Sequence, residues 1–328
     1  MESSKQQFWL GLALSCTTAL FWGMIPIALK LSSGFADPVT LTWSRFTFAA
    51  IVVFVWQWQH GRLHEFRQLN RKEWLRLFAA GCFLIINYTT FAWGVTFLRP
   101  EVAQLGMQIS PVFMALGGLL FLKEQVSWQQ WACFGLLILG LLVFFHPVLT
   151  GDYHGDVHTL MTGLIIIFIS AFSWCIYALT QKTLFKKLSS SNILLMIYIL
   201  ATVVMAPFSS PMLLTTMSSN DTWVMLFCCI NTVVAYGAFT QAMRYWETVQ
   251  VSAVIAVVPV VVFVLTELCV VFGLWSSIIS ESHVDWLSMA GMFMVVGSAI
   301  SVQVVSARAN RKRRQKLEQQ HSAQLHAA

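Results

Sequence analysis

Residues 38–58 read PVTLTWSRFTFAAIVVFVWQW, a run of bilayer length in which Arg45 is the only full charge. A helix that crosses the hydrocarbon of a membrane needs roughly 20 consecutive apolar residues. This run meets that length and shows no strand-like alternation, so it predicts a membrane-spanning helix. Its charge is the anomaly. A guanidinium stays ionised at any ordinary pH, and at mid-membrane it costs about 2.5–3.5 kcal/mol on insertion scales. Such a residue needs a partner or faces a polar pathway.

The rest of the chain has the same character. Of 328 residues, 57% are hydrophobic and 10% charged, against about 25% charged in a soluble domain. Mean hydropathy is +0.70. Apolar runs of spanning length recur near 8–31, 38–58, 74–97, 101–122, 127–146, 158–181, 191–213, 221–243, 249–273 and 285–306. The expected fold is therefore an all-α polytopic membrane protein of ten transmembrane helices. The first run is read as a retained helix, because it ends in Lys30 without a small-residue cleavage site. The seven cysteines lie in apolar runs without a CxxC pair and read as small buried hydrophobes.

Charge sorts cleanly over that scheme. With the N-terminus cytoplasmic, 17 of the 20 lysines and arginines fall on the inner side: Lys5, the loops around 59–76, 123, 182–187 and 244, and the tail. Lys30 and Arg99 fall outside, with Asp37, Glu101, Asp152, Asp156, Asp221, Glu281 and Asp285. This is the positive-inside pattern, and it puts both termini in the cytoplasm. The basic segment ARANRKRRQK (307–316) opens a cytoplasmic tail, 307–328, that touches anionic lipid and fixes orientation. No nucleic-acid-binding module accompanies it, so nucleic acid is not an expected partner.

The two halves repeat. A shift of 148 places Pro259 on Pro111, Tyr236 on Tyr88 and Phe239 on Phe91. A shift of 152 places AFSWCIYALTQK (171–182) on ALFWGMIPIALK (19–30), matching Trp174 to Trp22. The fifth and tenth runs share a Trp ahead of spaced glycines, Trp131, Gly135, Gly140 and Trp286, Gly291, Gly297. Five spans per repeat is an odd number, so the repeats, 8–146 and 158–306, enter the membrane from opposite sides. Inverted repeats place a transporter's binding site near the midplane between halves.

Within the hydrocarbon, away from span ends, the full charges are Arg45 and Glu267. Both lie about seven residues inside the outer end of their spans, roughly 10 Å deep. Equal depth and opposite sign allow them to pair, or to face one water-filled cavity in which Arg45 takes a carboxylate or phosphate and Glu267 carries a proton. A structural ion pair joining the halves is the alternative. Trp22, Asn87, Tyr88, Gln104, Gln108, Trp174, Tyr177, Asn231, Tyr236, Thr240 and Gln241 are the other candidates for the lining, with interhelical glue as their alternative role. Pro26, Pro111 and Pro259 each remove a backbone hydrogen bond and are expected to bend their helices and open space. The evenly spaced Asp152, His154, Asp156 and His158 resemble a ligand set only loosely, and no metal or other cofactor is expected. The chain has no P-loop, GxSxG, dinucleotide fingerprint or HExxH, which argues against an enzyme or an ATP-driven pump.

The motifs also resemble a known family, the EamA type of the drug/metabolite transporter superfamily. ALFWGMIPIALK, the Arg of TWSRFTFAA, and EVAQLGMQISPVFMALGGLLFLKEQVSWQQWACFGLLILG (101–140) carry the resemblance, with its mid-span Pro, Gly-Leu-rich end and Lys-Glu turn. ETVQVSAVIAVVPVVVFVLTELCVVFGLW (247–275) departs from the pattern, lacking the acid usually found just after the ninth span. The resemblance implies a secondary transporter in the bacterial inner membrane that exports small polar or amphipathic metabolites such as amino acids by alternating access. It implies a small-molecule substrate, lipid neighbours, a proton as one option for the coupling ion, and a monomer or homodimer. A different substrate class, namely a drug-like cation, nucleotide or sugar derivative, and a non-transporting scaffold or receptor are the competing readings.

Overall fold

The structure is a computed structural model that describes residues 2–121, 126–151, 155–246, 248–279 and 284–327. Among them every regular element is helical. Helix α1 spans Glu2–Ser32, α2 Pro38–Gln59, α3 Arg71–Phe97, α4 Pro100–Gly106, α5 Ser110–Phe121, α6 Trp128–Phe144 and α7 His146–Thr150. The later helices are α8 Val157–Leu184, α9 Ser190–Met205, α10 Ser219–Tyr245, α11 Thr248–Ile255, α12 Val258–Val271 and α13 Trp286–Ala327. Among the described residues eight helical stretches are long and apolar enough to cross a membrane, and α6 is a shorter apolar helix.

Local chemistry explains the boundaries. Asp37 opens α2, its carboxylate accepting from the amides of Val39 and Thr40 at 2.9 and 3.0 Å, with Pro38 as the first helical residue. Asn70 with Glu73, Ser127 with Gln130, and Ser218 with Asp221 form reciprocal capping boxes at α3, α6 and α10. Asp156 caps α8 by accepting from the amides of His158 and Thr159, which gives it a structural role in place of the loosely suggested metal set. Asp152 and His154 lie outside the described residues.

Three differences from the sequence reading matter. The run expected at 101–122 is broken: α4 ends at Gly106, a 3₁₀ turn occupies Met107–Ile109, and α5 resumes at Ser110. The run at 249–273 is broken at the corresponding place, between Ile255 and Val258. Proline is the cause at both, since Pro111 and Pro259 have no N–H to give the carbonyl four residues earlier. At the first break the Ser110 hydroxyl donates to the freed Met107 carbonyl at 2.6 Å. Pro26 behaves differently, lying inside the continuous α1. The seventh run is shorter than expected, because α9 stops at Met205 ahead of Pro207 and gives way to 3₁₀ turns. The cysteines are all free, but Cys16 is exposed, where burial was expected.

The helices pair across the halves. α1 lies along α10, α2 along α9, α3 along α8 and α6 along α13. Lesser contacts join α1 to α12, α5 to α8, α2 to α10 and α3 to α9. Exchanging the first five runs for the last five maps this set of neighbours onto itself. The α6–α13 pair is the tightest: a Cβ at Gly291 would meet the Phe144 amide nitrogen at 2.4 Å and the Gly140 carbonyl at 2.8 Å. The interior is largely apolar but also seals polar side chains, and the surface is apolar too. Ser15, Thr18, Thr42, Asn192 and Ser298 are sealed inside, while Ile51, Leu120, Val203 and Phe293 are 57–71% exposed. Such a surface is stable only against hydrocarbon.

Candidate substrate-binding site

Arg45 projects from α2 into the seam between the two halves and is 4% exposed. Its Nε donates to Thr232 Oγ1 on α10 at 3.0 Å, and Thr232 in turn donates to the Cys228 carbonyl. Its guanidinium carbon lies 5.0 Å from the centre of the Tyr88 ring on α3, a cation–π distance. Among the described residues Arg45 has no ion-pair partner. Its two terminal nitrogens make no hydrogen bond to protein, yet neither is among the sealed, unpartnered atoms.

Aromatic rings wall this charge. Tyr88 packs on Phe46 at 4.7 Å between centroids, Phe46 on Tyr198 at 5.3 Å, and Tyr88 faces Tyr236 at 6.3 Å. Trp22 on α1 meets Tyr236 edge-on and lies 5.5 Å from Phe239. It also touches the apolar cluster at the α11–α12 break, including Val258. Tyr177 belongs to the same buried apolar cluster as Tyr88, and the half-buried Trp174 packs against it. Arg45, Trp22, Tyr88, Trp174, Tyr177 and Tyr236 are thus brought together from α1, α2, α3, α8 and α10.

Other candidates go elsewhere. Asn87 Nδ2 donates to the Ser170 hydroxyl and carbonyl at 2.8 and 3.0 Å and so joins α3 to α8. Asn231 donates to the Phe21 carbonyl and joins α10 to α1. These are interhelical fastenings. Gln104, Gln108 and Thr240 are half-buried and Gln241 is exposed, and none of them reaches Arg45 by a hydrogen bond.

Glu267 is not paired with Arg45. Its Oε1 lies 3.4 Å from Arg99, which also binds Glu101. Depth along the membrane normal placed Arg45 and Glu267 level, but depth is one coordinate and says nothing of the side of the bundle each faces. The structure also adds residues that sequence reasoning passed over. Thr232, Phe46 and Tyr198 complete the Arg45 site, and Tyr198 carried the same signal as Tyr88, a lone tyrosine in mid-span. Glu101, read as an outer acid near a loop, is 1% exposed.

An all-helical, lipid-facing bundle with several membrane-spanning helices defines a polytopic membrane protein. The EamA-like transporter family matches this chain twice, over residues 9–146 and 161–304, and the chain belongs to that family. It is 31% identical over 301 residues to an uncharacterized inner membrane transporter, YhbE, of Escherichia coli K12, covering 90% of this chain and 92% of that one. It is 30% identical to an uncharacterized transporter of Haemophilus influenzae, over 90% and 95% of the two chains. A protein named a probable amino-acid metabolite efflux pump, from Escherichia coli K12, is 23% identical over 76% of this chain and 83% of its own. One solved crystal structure shares the fold with a TM-score of 0.60 at 16% identity, covering 91% of this chain and 98% of that one.

Proposed function

We propose that this protein is a secondary transporter of small metabolites bearing a carboxylate, such as amino acids, with Arg45 as the anion anchor. The observation that carries this reading is the Arg45 guanidinium, a buried charge held at Nε by Thr232, with no ion-pair partner and no acceptor for its terminal nitrogens among the described residues. Two parallel N–H donors match a carboxylate in shape and charge. Tyr88, Tyr236 and Trp22 supply the apolar and aromatic walls expected of a small-molecule site.

The bundle works as ten spans in two inverted five-helix repeats, with both termini cytoplasmic and the protein in the bacterial inner membrane. Three things support that arrangement: the exchangeable helix pairing, the paired breaks at Pro111 and Pro259, and the twofold family match. Alternating access then rocks one half against the other around the Arg45 seam. Export is the favoured direction, in line with the efflux relative. Cells expressing the protein should release a specific set of amino acids or related metabolites, and Arg45→Ala at equal membrane abundance should abolish that release. Unchanged release in Arg45→Ala would remove Arg45 from the site. No substrate-dependent flux in proteoliposomes would favour a scaffold or receptor.

A further inference from the structure

Helices α2 and α9 lie side by side, and each is followed by 3₁₀ structure that folds onto the first turn of the other. The segment Arg62–Gln68 follows α2 and meets the start of α9. The turns Ala206–Phe208 and Pro211–Thr215 follow α9, and Ser210 between them meets the start of α2. The residues that receive these segments are repeat-related. Asp37 and Ser189 are the N-caps of α2 and α9, and Thr40 and Asn192 stand three residues further on. The shift of 152 that places Trp174 on Trp22 also places Ser189 on Asp37 and Asn192 on Thr40. Exchanging the halves therefore turns one junction into the other.

The two junctions are closed to different degrees. At the start of α9, Glu65 Oε2 accepts from the Ser189 amide, the Ser189 hydroxyl and Asn192 Nδ2 at 2.7, 2.9 and 2.8 Å. Asn192 also donates to the Arg62 carbonyl and accepts from Gln57 Nε2, both at 2.9 Å. Lys187 pairs with Glu73 at 3.0 Å. Each of these contacts joins the first half of the chain to the second. Next to them Leu77, Leu188 and Ile193 are buried in one cluster with Phe46, Tyr88 and Tyr198 of the Arg45 site. At the start of α2, among the described residues, a single hydrogen bond ties the 206–215 segment to the helix, from the Ser210 amide to Thr40 Oγ1 at 2.8 Å. The Asp37 carboxylate is exposed and stays on its own helix, accepting from Val39 and Thr40. Beside it is a cavity of about 320 Å³ lined by Ser33, Phe35, Asp37, Pro38, Thr96 and Leu213.

The slack junction holds the groups for the same kind of closure. Where the closed junction takes its carboxylate from the loop (Glu65) and its hydroxyl from the helix start (Ser189), the slack one has its carboxylate on the helix (Asp37) and hydroxyls on the loop (Ser209 and Ser210). The closed junction also carries a cost, because Gln57 Oε1 is sealed without a partner, and water admitted on opening satisfies it. Between the junctions the Trp43 indole donates to the Thr202 carbonyl at 3.0 Å, and Thr47 meets the Thr202 hydroxyl at 3.3 Å. Antiparallel helices pinned at such a point open at one end as they close at the other.

We propose that these junctions are paired gates that close in turn, with this structure latched at α9 and slack at α2. In the alternate state Glu65 releases Ser189 and Asn192 while the 206–215 segment closes on α2 through Asp37 and Ser210. The proposal rests on the alternating-access reading, not on Arg45 as the anchor.

Two measurements on the full chain in lipid nanodiscs test it without substrate, so their failure leaves Arg45 standing, and a failure of Arg45 in the flux assay leaves the gates standing. Hydrogen exchange in Glu65→Ala should become roughly tenfold faster at 62–69 and 189–193 and, in the same sample, roughly tenfold slower at 35–41 and 206–216. Lys187→Ala, which removes only a surface pair, should show the same opposed pattern at smaller size and decides the matter if Glu65→Ala does not fold. Ser33→Cys puts a thiol on the cavity wall. Its alkylation by a water-soluble maleimide, followed on its own peptide by mass spectrometry, should slow when Glu65→Ala is added. Faster exchange at both ends, or at 62–69 and 189–193 alone with Ser33→Cys labelling unchanged, would show two independent fastenings and overturn the proposal.

Discussion

Arg45 illustrates how much one side chain asks of its surroundings. Its Nε is held by Thr232 and one face by Tyr88, so the fork is oriented before any ligand arrives. Preorganisation of this kind lets a carboxylate bind without first ordering the side chain. Hydrogen bonds to charged groups are worth about 1.5–3 kcal/mol each. Arg45→Lys keeps the charge but loses the Nε contact, the planar face and the second parallel donor. Substrate affinity in the lysine variant should therefore fall roughly ten- to hundredfold, read as a rise in the half-saturating concentration for flux at unchanged protein level. Tyr88→Phe should keep most activity, because the ring face carries the contact with Arg45, whereas Tyr88→Leu should approach the lysine variant. Restored flux in Tyr88→Leu, measured side by side, would show the ring to be mere packing.

At the scale of elements, the α6–α13 contact depends on two glycines that let backbones meet. Gly291→Leu forces atoms against the Phe144 backbone, and overpacking of this kind costs about 1–3 kcal/mol. The thermal midpoint of the purified protein should drop by several degrees, with Gly135→Ala, which meets open space, as the neutral comparison. On the opposite side of the molecule the 3₁₀ segment Arg62–Gln68 is fastened to the α8–α9 junction. Glu65 Oε2 accepts from the Ser189 amide at 2.7 Å, the Ser189 hydroxyl and Asn192 Nδ2. Burial pushes the Glu65 carboxyl up, but these hydrogen bonds outweigh it and hold it below its ordinary value. A depressed carboxylate contributes fully above the unfolded value, about 4.3, and loses that contribution as pH falls through the lower folded one. Hydrogen-exchange protection of residues 62–69 and 189–193 should thus be flat near neutrality and drop below about pH 4. Glu65→Gln should lower it near neutrality and remove the acid-dependent drop.

For the whole molecule, each strong helix pairing joins one half to the other: α1 to α10, α2 to α9, α3 to α8 and α6 to α13. Polar side chains such as Arg45, Asn87 and Asn231 find partners only across the two halves, and leaving them unpaired in lipid is costly. Residues 1–155 and 156–328 expressed separately should each be degraded in the membrane, while co-expressed they should co-purify through a tag on one fragment. A half that unfolds cooperatively by itself would contradict this account.

Composition and hydropathy by themselves determined that this is a helical membrane protein, because spanning lipid requires long apolar runs with internally satisfied backbones. Helix ends were legible too, since Asp37, Ser127 and Ser218 cap through contacts within a few residues. The prolines at 111 and 259 marked where helices break, although how far each break would open was not written in the pattern. The basic asymmetry and internal repeat pointed to a topology of two opposed halves. What only the tertiary structure decided was which distant groups meet. Sequence gives depth along the membrane but not rotation about each helix, so Arg45 and Glu267 looked like partners at one level. Packing turned Arg45 toward Thr232 and Tyr88 and gave Glu267 to Arg99. It also folded the start of α4 inward and buried Glu101, which a charge count could register only as one more outer acid. Contacts between residues more than 150 positions apart depend on how whole helices rotate and dock, and that is set by the packing of every face at once.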